Sequence, residues 1–336
     1  MTEKRQQYYL VDYTKLICAL LVVMIHCLEI PTGHFFAELI VKCFSQQAVP
    51  YFFISSGFFF ALKQNNGKSY DYAVNRIIYI LKTYFLWVLI WSPMIIYRYM
   101  NIYSDSSFFY IILVIFRRII FAGEGVYWYL LALAEALLLI CLAQRTKKMK
   151  LLVCISFIMF LLGLYYDFGS NVPIITKFFS VIYFIFSWSN NVLMRGLPYT
   201  LVGYYIAQSI EKEKNNGKSL LGLYFVICII NVYIYLTGPN KIYIFFYPIQ
   251  ALLLFLISIK REFNNGNGLY AKECRKLSTV IYLVHTLFIY YVADILFTVY
   301  APISLKAAIA IIGSILVYFL VEKCNSKMIK RTLMII

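Results

Sequence analysis

Asp12, Lys15 and His26 lie in one apolar run, DYTKLICALLVVMIHCLE (12–29), long enough to enter a bilayer. Ionisable side chains at a helix centre in hydrocarbon cost about 2.5 to 3.5 kcal/mol each on insertion scales, so they mark functional candidates. Lys15 and His26 stand eleven residues apart. On a helix that spacing turns through about 1100°, some 20° past three full turns, and rises about 16.5 Å. The two side chains therefore share a face at two depths, an arrangement suited to a long ligand that is charged at one end and reactive at the other. A neutral imidazole accepts a proton from a hydroxyl, and removal from water disfavours its charged form, which keeps it available as a base. Glu29, one turn on, lies on the same side and can orient the ring. A plainer use exists for each residue. Lys15 can snorkel to the inner leaflet as an anchor, and His26 can hydrogen-bond a neighbouring helix. Spacing alone supports both uses.

The elements that must position these residues follow from composition. The chain of 336 residues is 62% apolar, 19% aromatic and 14% charged, far from the soluble average of roughly 25% charged. An all-α integral membrane protein is expected. The net charge of +16 does not point to nucleic acid, because the basic residues sit in short connections between apolar runs, as on the cytoplasmic face of a membrane protein. Eight cysteines are scattered without C-x-x-C spacing, so neither a disulfide framework nor a metal site is indicated. Lys4 and Arg5 precede an apolar run that has no small-residue cleavage site, which reads as a retained first helix.

The requirement of about 20 apolar residues per crossing predicts a polytopic bundle of about ten spans. They cover 14–30, 39–62, 77–97, 126–143, 151–166, 191–208, 219–236, 242–259, 277–298 and 305–321. Lys and Arg concentrate in alternate connections, including RTKKMK (145–150), EKEKNNGKS (211–219) and the segment from Lys260 to Lys276. This places both termini in the cytoplasm and the protein in the plasma membrane, in contact with lipid on all sides. Two further segments, 106–123 with Arg117 and Arg118 and 172–188 with Lys177, fit the rule poorly and read as interfacial or re-entrant helices. The loops are too short to bury a soluble core, so 1–336 is expected to form a single membrane domain.

A set of motifs in fixed order carries a resemblance. The first span has Asp12, Lys15 and, after ten residues, His26; VPYFFISSGFF supplies Pro50, Phe52, Phe53, Ser56, Gly57 and Phe58. These are followed by YWYLLAL (127–133), NVLMRGLPYTLVGYYIA (191–207), LSTVIYLVHTLFI (277–289) and VYFLVEK (317–323). In this order and over nearly its whole length the chain resembles the membrane-bound acyltransferase 3 family.

The resemblance implies transfer of an acyl group, usually acetyl, from cytoplasmic acyl-CoA to a hydroxyl of a surface glycan, lipid or small molecule. It gives His26 the role of catalytic base and places Lys15 where the family supports the CoA site. Of the family's R-x-x-R element only Arg76 is present: Tyr79 takes the second position and Lys82 follows one turn later. Lys is a poor copy of a bidentate Arg, and Arg76 equally suits a positive-inside anchor. His285 stands where the family often has histidine and reads as a supporting group or as a packed, hydrogen-bonded one. Ser56 and Gly57 read either as a close-packing pair or as a polar lining. The fold also resembles the membrane half of the vancomycin-resistance serine racemases, which implies uptake of a serine-like amino acid as the alternative function. A binding-only relative is a third.

Overall fold

The computed structural model describes residues 7–27, 35–65, 70–169, 173–186, 190–209, 217–238, 241–260, 268–293, 302–324 and 326–333. It is helical throughout, with no strand among the described residues. Among the described residues, eight helical stretches are long and apolar enough to cross a membrane. The side chains that face outward include Leu89, Phe109, Phe184, Ile229 and Leu320. Exposed apolar surface on this scale belongs against lipid, not water. The chain is a polytopic all-α membrane protein.

The chain divides into two compact units, one formed by residues 1–55 and 209–336 and the other by 56–208. The first unit contains α1 (Tyr9–Cys27), α2 (Phe35–Cys43), the start of α3 (Ala48–Asn65), α10 (Gly217–Thr237), α11 (Phe246–Ile259), α12 (Ala271–Leu287) and α13 (Ile303–Lys323). Its core joins α1, α12 and α13. Ala19, Val23 and Cys27 meet Ile281, Ile289, Ile303, Ala307 and Ala310, with Leu20, Met24 and Phe52 packed around them. Small residues at these positions let the helix backbones approach closely, which is how helices associate without a solvent-driven force. Gly313 extends the pattern, since a Cβ there would lie 2.4 Å from the Phe288 ring.

The expected span over 39–62 is two helices. α2 ends at Cys43, the Ser45–Gln47 turn is a 3₁₀ helix, and α3 begins at Ala48. Pro50 explains the restart, because proline has no N–H to give and is accommodated in the first turn of a helix. At the end of α2, Ile40 O accepts from Phe44 N at 3.0 Å and from Ser45 Oγ at 3.3 Å, and Cys43 O accepts from a side chain, Asn231 Nδ2 of α10, at 3.0 Å. Asn231 and Gln250 of α11 are both fully buried, and the Asn231 amide also reaches Gln250 Oε1 at 3.3 Å. Replacing Asn231 with leucine keeps the volume and removes the donor. The expected cost is about 1–2 kcal/mol, read as a lowered unfolding midpoint of the purified protein in detergent; an unchanged midpoint would show that this cap contributes nothing.

The second unit contains the rest of α3 with α4 (Tyr70–Ile102), α5 (Phe108–Arg117), α6 (Trp128–Arg145), α7 (Met149–Phe168), α8 (Pro173–Phe186) and α9 (Leu197–Ser209). The expected span over 191–208 is a π-helical turn, Val192–Gly196, leading into α9. Asn191 caps the turn, its Oδ1 accepting from Leu193 N at 2.9 Å and Met194 N at 3.0 Å. Pro198, at the second position of α9, lacks the N–H that an unbroken helix would offer Met194. α3 and α9 are the two expected spans outside the eight apolar stretches. Most of their residues are buried in protein, so their surfaces carry Ser, Gly, Thr and Tyr instead of an unbroken apolar shell. The segment expected to be interfacial or re-entrant at 106–123 forms α5 and a second π-helical turn, Arg118–Ala122. There Arg118 Nε donates to the buried Glu124 at 3.2 Å, and Arg117 Nη1 donates to Phe184 O at 2.5 Å. The segment at 172–188 contributes α8, with Lys177 exposed.

Candidate active site

α1 and α12 lie side by side and run the same way. Asp12 and Arg275, each near the start of its helix, form an ion pair at 3.7 Å. His26 and His285, further along both helices, have ring centroids 5.3 Å apart and planes tilted by 42°. The sequence positions an acid and a cation at one end of α1 and an imidazole at the other; the packing of α12 doubles both.

His285 is fully buried. Its Nδ1 lies 2.8 Å from Ile281 O and 3.0 Å from Tyr282 O, both on its own helix. A carbonyl oxygen can only accept, so Nδ1 carries the hydrogen and donates. The tautomer follows from that geometry: in the neutral ring Nε2 bears the lone pair. Nε2 has no hydrogen-bond partner among the described residues. Tyr282 flanks the imidazole with its ring 6.5 Å away, and Phe52 of α3 lies 6.4 Å beyond Tyr282. The His285 Nε2 atom is itself buried from solvent.

His26 is only partly buried. Lys15 is also partly buried, one turn from Asp12. The Asp12 carboxylate thus faces two cations, Lys15 on its own helix and Arg275 on α12. Arg275 is more than half exposed, and an ion pair so close to solvent contributes little stability. Its position matters more than its energy, because it adds a second cation to the end of α1 that holds Lys15. Glu29 lies outside the described residues.

The other expected site residues belong to the second unit. Arg76 and Lys82 are both exposed on α4. Tyr79, at the second position of the halved R-x-x-R element, lies beneath the Arg76 guanidinium, 5.7 Å from ring centroid to Cζ. Ser56 Oγ and the Tyr129 hydroxyl are 3.0 Å apart, and a Cβ on Gly57 would fall 2.0 Å from Thr200 O. Gly57 thus makes a close helix–helix contact, and Ser56 beside it is hydrogen-bonded to Tyr129. Among the described residues, no three His, Cys, Asp or Glu side chains converge as a metal site would require.

Arg275 and the contact between the two imidazoles were missed from sequence. A signal for both existed: Arg275 precedes His285 by ten residues, close to the eleven that separate Lys15 from His26. Two helices with a cation and a histidine at nearly the same separation are candidates for side-by-side packing.

The amino-acid sequence has counterparts among known proteins. The family profile described as an acyltransferase domain matches residues 8–323. Two amino-acid racemases of Enterococcus faecalis are similar to the chain. One is 27% identical over 333 residues, covering 94% of this chain and 44% of the racemase; the other is 26% identical over 237 residues, covering 67% and 31%. The chain therefore spans less than half the length of the curated relatives it matches. No solved structure matches it. With its helical membrane architecture and a profile match over nearly its whole length, the chain belongs to the acyltransferase 3 family.

Proposed function

We propose that this membrane acyltransferase moves an acetyl group from cytoplasmic acetyl-CoA to a hydroxyl of a cell-surface glycan, lipid or small-molecule acceptor. The observation that carries the proposal is the imidazole pair at one end of α1, with Asp12, Lys15 and Arg275 at the other. Cations suit the phosphates of a nucleotide, and a partly buried imidazole further along the same helix suits the reacting thioester.

In the proposed reaction His26 removes the proton from the acceptor hydroxyl as its oxygen attacks the thioester carbonyl. The new oxygen–carbon bond forms, the carbon–sulfur bond breaks, and the proton passes from His26 to the departing thiolate. Free CoA and the acylated acceptor result. Lys15 and, in the second unit, Arg76 and Lys82 are assigned to the donor's phosphates by their match to the family pattern. Glu29 is the orienting group that the sequence spacing alone suggests, and Asp12 holds the cations of Lys15 and Arg275 in place.

Two observations favour a second reading, an amino-acid transporter on the same fold. The curated relatives are named amino-acid racemases, and the R-x-x-R element is halved. Calorimetry of acetyl-CoA with the purified, folded protein separates the readings. Binding is expected, weakened about tenfold or more by Arg76→Ala, since a charge-assisted contact is worth about 1.5–3 kcal/mol. No binding, together with uptake of labelled serine into vesicles that lack acyl-CoA, would replace the transferase with the transporter.

A further inference from the structure

We infer that His285 is a positioning residue for His26: its Nε2 accepts a hydrogen bond from the His26 ring and holds that ring in one tautomer and orientation during acyl transfer. This rests on the reading of His26 as the base. It gives a definite part to His285, which the sequence left between a supporting group and a packed one, and takes the orienting part from Glu29.

Four observations lead to it. His285 is fully buried, where an unmade hydrogen bond is costly. Its Nδ1 is committed to the carbonyls of Ile281 and Tyr282, so the neutral ring cannot turn to present a different nitrogen without losing both contacts. Its Nε2, at the edge of the ring distal from the α12 backbone, is an acceptor without a partner among the described residues. The imidazole of His26 lies 5.3 Å away, centroid to centroid, and turning edge towards edge at that separation brings a nitrogen of each ring within hydrogen-bond range.

The chemistry fits the reaction. A base must present a lone pair to the acceptor hydroxyl, so its other nitrogen must carry the hydrogen, and a neighbouring lone pair fixes which nitrogen that is. After His26 takes the proton, both its nitrogens carry hydrogens. One donates to His285 Nε2, and the other is directed at the leaving thiolate. His285 ends the cycle as it began, with no proton gained or lost. Nε2 is buried from solvent, so water does not replace this contact.

Two measurements test the assignment, and only one depends on acyl transfer. The first compares His285→Phe, which keeps bulk and removes the acceptor, with His285→Gln, whose amide oxygen can accept in the place of Nε2. The phenylalanine variant is expected to lose about 10²-fold in kcat, near the lower end of what a positioned base supplies, with KM for acetyl-CoA unchanged. The glutamine variant is expected to keep kcat within about tenfold of the parent, the cost of about 1.4 kcal/mol. Equal losses in both variants, or a rise in KM with kcat intact, would overturn the assignment.

The second is ¹⁵N NMR of the full chain labelled at histidine. The protein has three histidines, and a His34→Gln variant leaves the two rings of interest. The expected spectrum shows His285 as the Nδ1–H tautomer, His26 as a single tautomer, and a ¹⁵N–¹⁵N coupling across an N–H···N bond between the rings. Absence of that coupling in folded protein overturns the assignment even if His285→Phe fails to fold. Its presence in a protein that transfers no acetyl group would uphold the pair and remove the acyltransferase reading instead.

Discussion

Replacing His26 with alanine is expected to lower the rate of acetyl transfer by about 10²–10⁴-fold, the range a positioned general base supplies, while the protein inserts, folds and binds acetyl-CoA as before. The expectation follows from where the side chain sits. His26 is one of the last residues of α1 and only partly buried, so its removal opens no large cavity in the core. The residues that pack α1 against α12 and α13, Ala19, Val23 and Cys27, are untouched by the change. Lys15, assigned to the donor's phosphates, lies near the opposite end of the helix, so affinity for acetyl-CoA should be separable from turnover. The check is a pair of measurements on one preparation: calorimetric affinity for acetyl-CoA and the rate of CoA thiol release in the presence of an acceptor. Loss of turnover with affinity retained places His26 in the chemical step. Turnover within a few-fold of the parent would remove His26 as the base, whatever else the fold does.

Much of this site could be read along the chain, and what could not has a physical cause. That Lys15 and His26 lie on one helix depends only on a local apolar run, and so it was legible. So were the membrane class and most of the helices, because hydrocarbon forces long apolar runs. The pairing of His26 with His285 is set by two helices that are more than 240 residues apart in the chain, and nothing local reports it. The tautomer of His285 depends on a rotamer that turns Nδ1 back to its own helix. The break between α2 and α3 was signalled by Pro50 but hidden by the apolar residues on both sides. α3 and α9 stand apart from the other spans for a related reason. A helix enclosed by protein is released from the demand for an apolar surface, so an apolar-length rule describes it badly.

The contact between α3 and α9 also gives the largest structural effect to be expected from a single methyl group. Gly57 of α3 packs directly on the backbone of Thr200 in α9. A Cβ added there would stand 2.0 Å from the Thr200 carbonyl oxygen, 2.9 Å from its carbon and 3.1 Å from its Cα. All three atoms are main chain, so no rotamer change relieves the clash and the helices themselves must separate. Thr200 is held in turn by its hydroxyl, which donates to Gly196 O at 2.7 Å, and Gly196 packs against Ala132 of α6. Moving α9 would therefore disturb α6 as well. Gly57→Ala is expected to cost at least the about 3 kcal/mol at the upper end of ordinary overpacking, seen as poor recovery of monodisperse protein and an unfolding midpoint lower by about 5 °C or more. Gly222→Ala is the matched control. It lies inside α10 with no atom within 4 Å of the added Cβ, and there alanine relieves the backbone entropy that glycine loses in a helix, worth about 0.5–1 kcal/mol. The two substitutions add the same methyl group to a glycine in a helix and should move stability in opposite directions. If Gly57→Ala unfolds at the same temperature as the parent, α3 and α9 are not in backbone contact, and Ser56 and Gly57 return to the alternative of a polar lining.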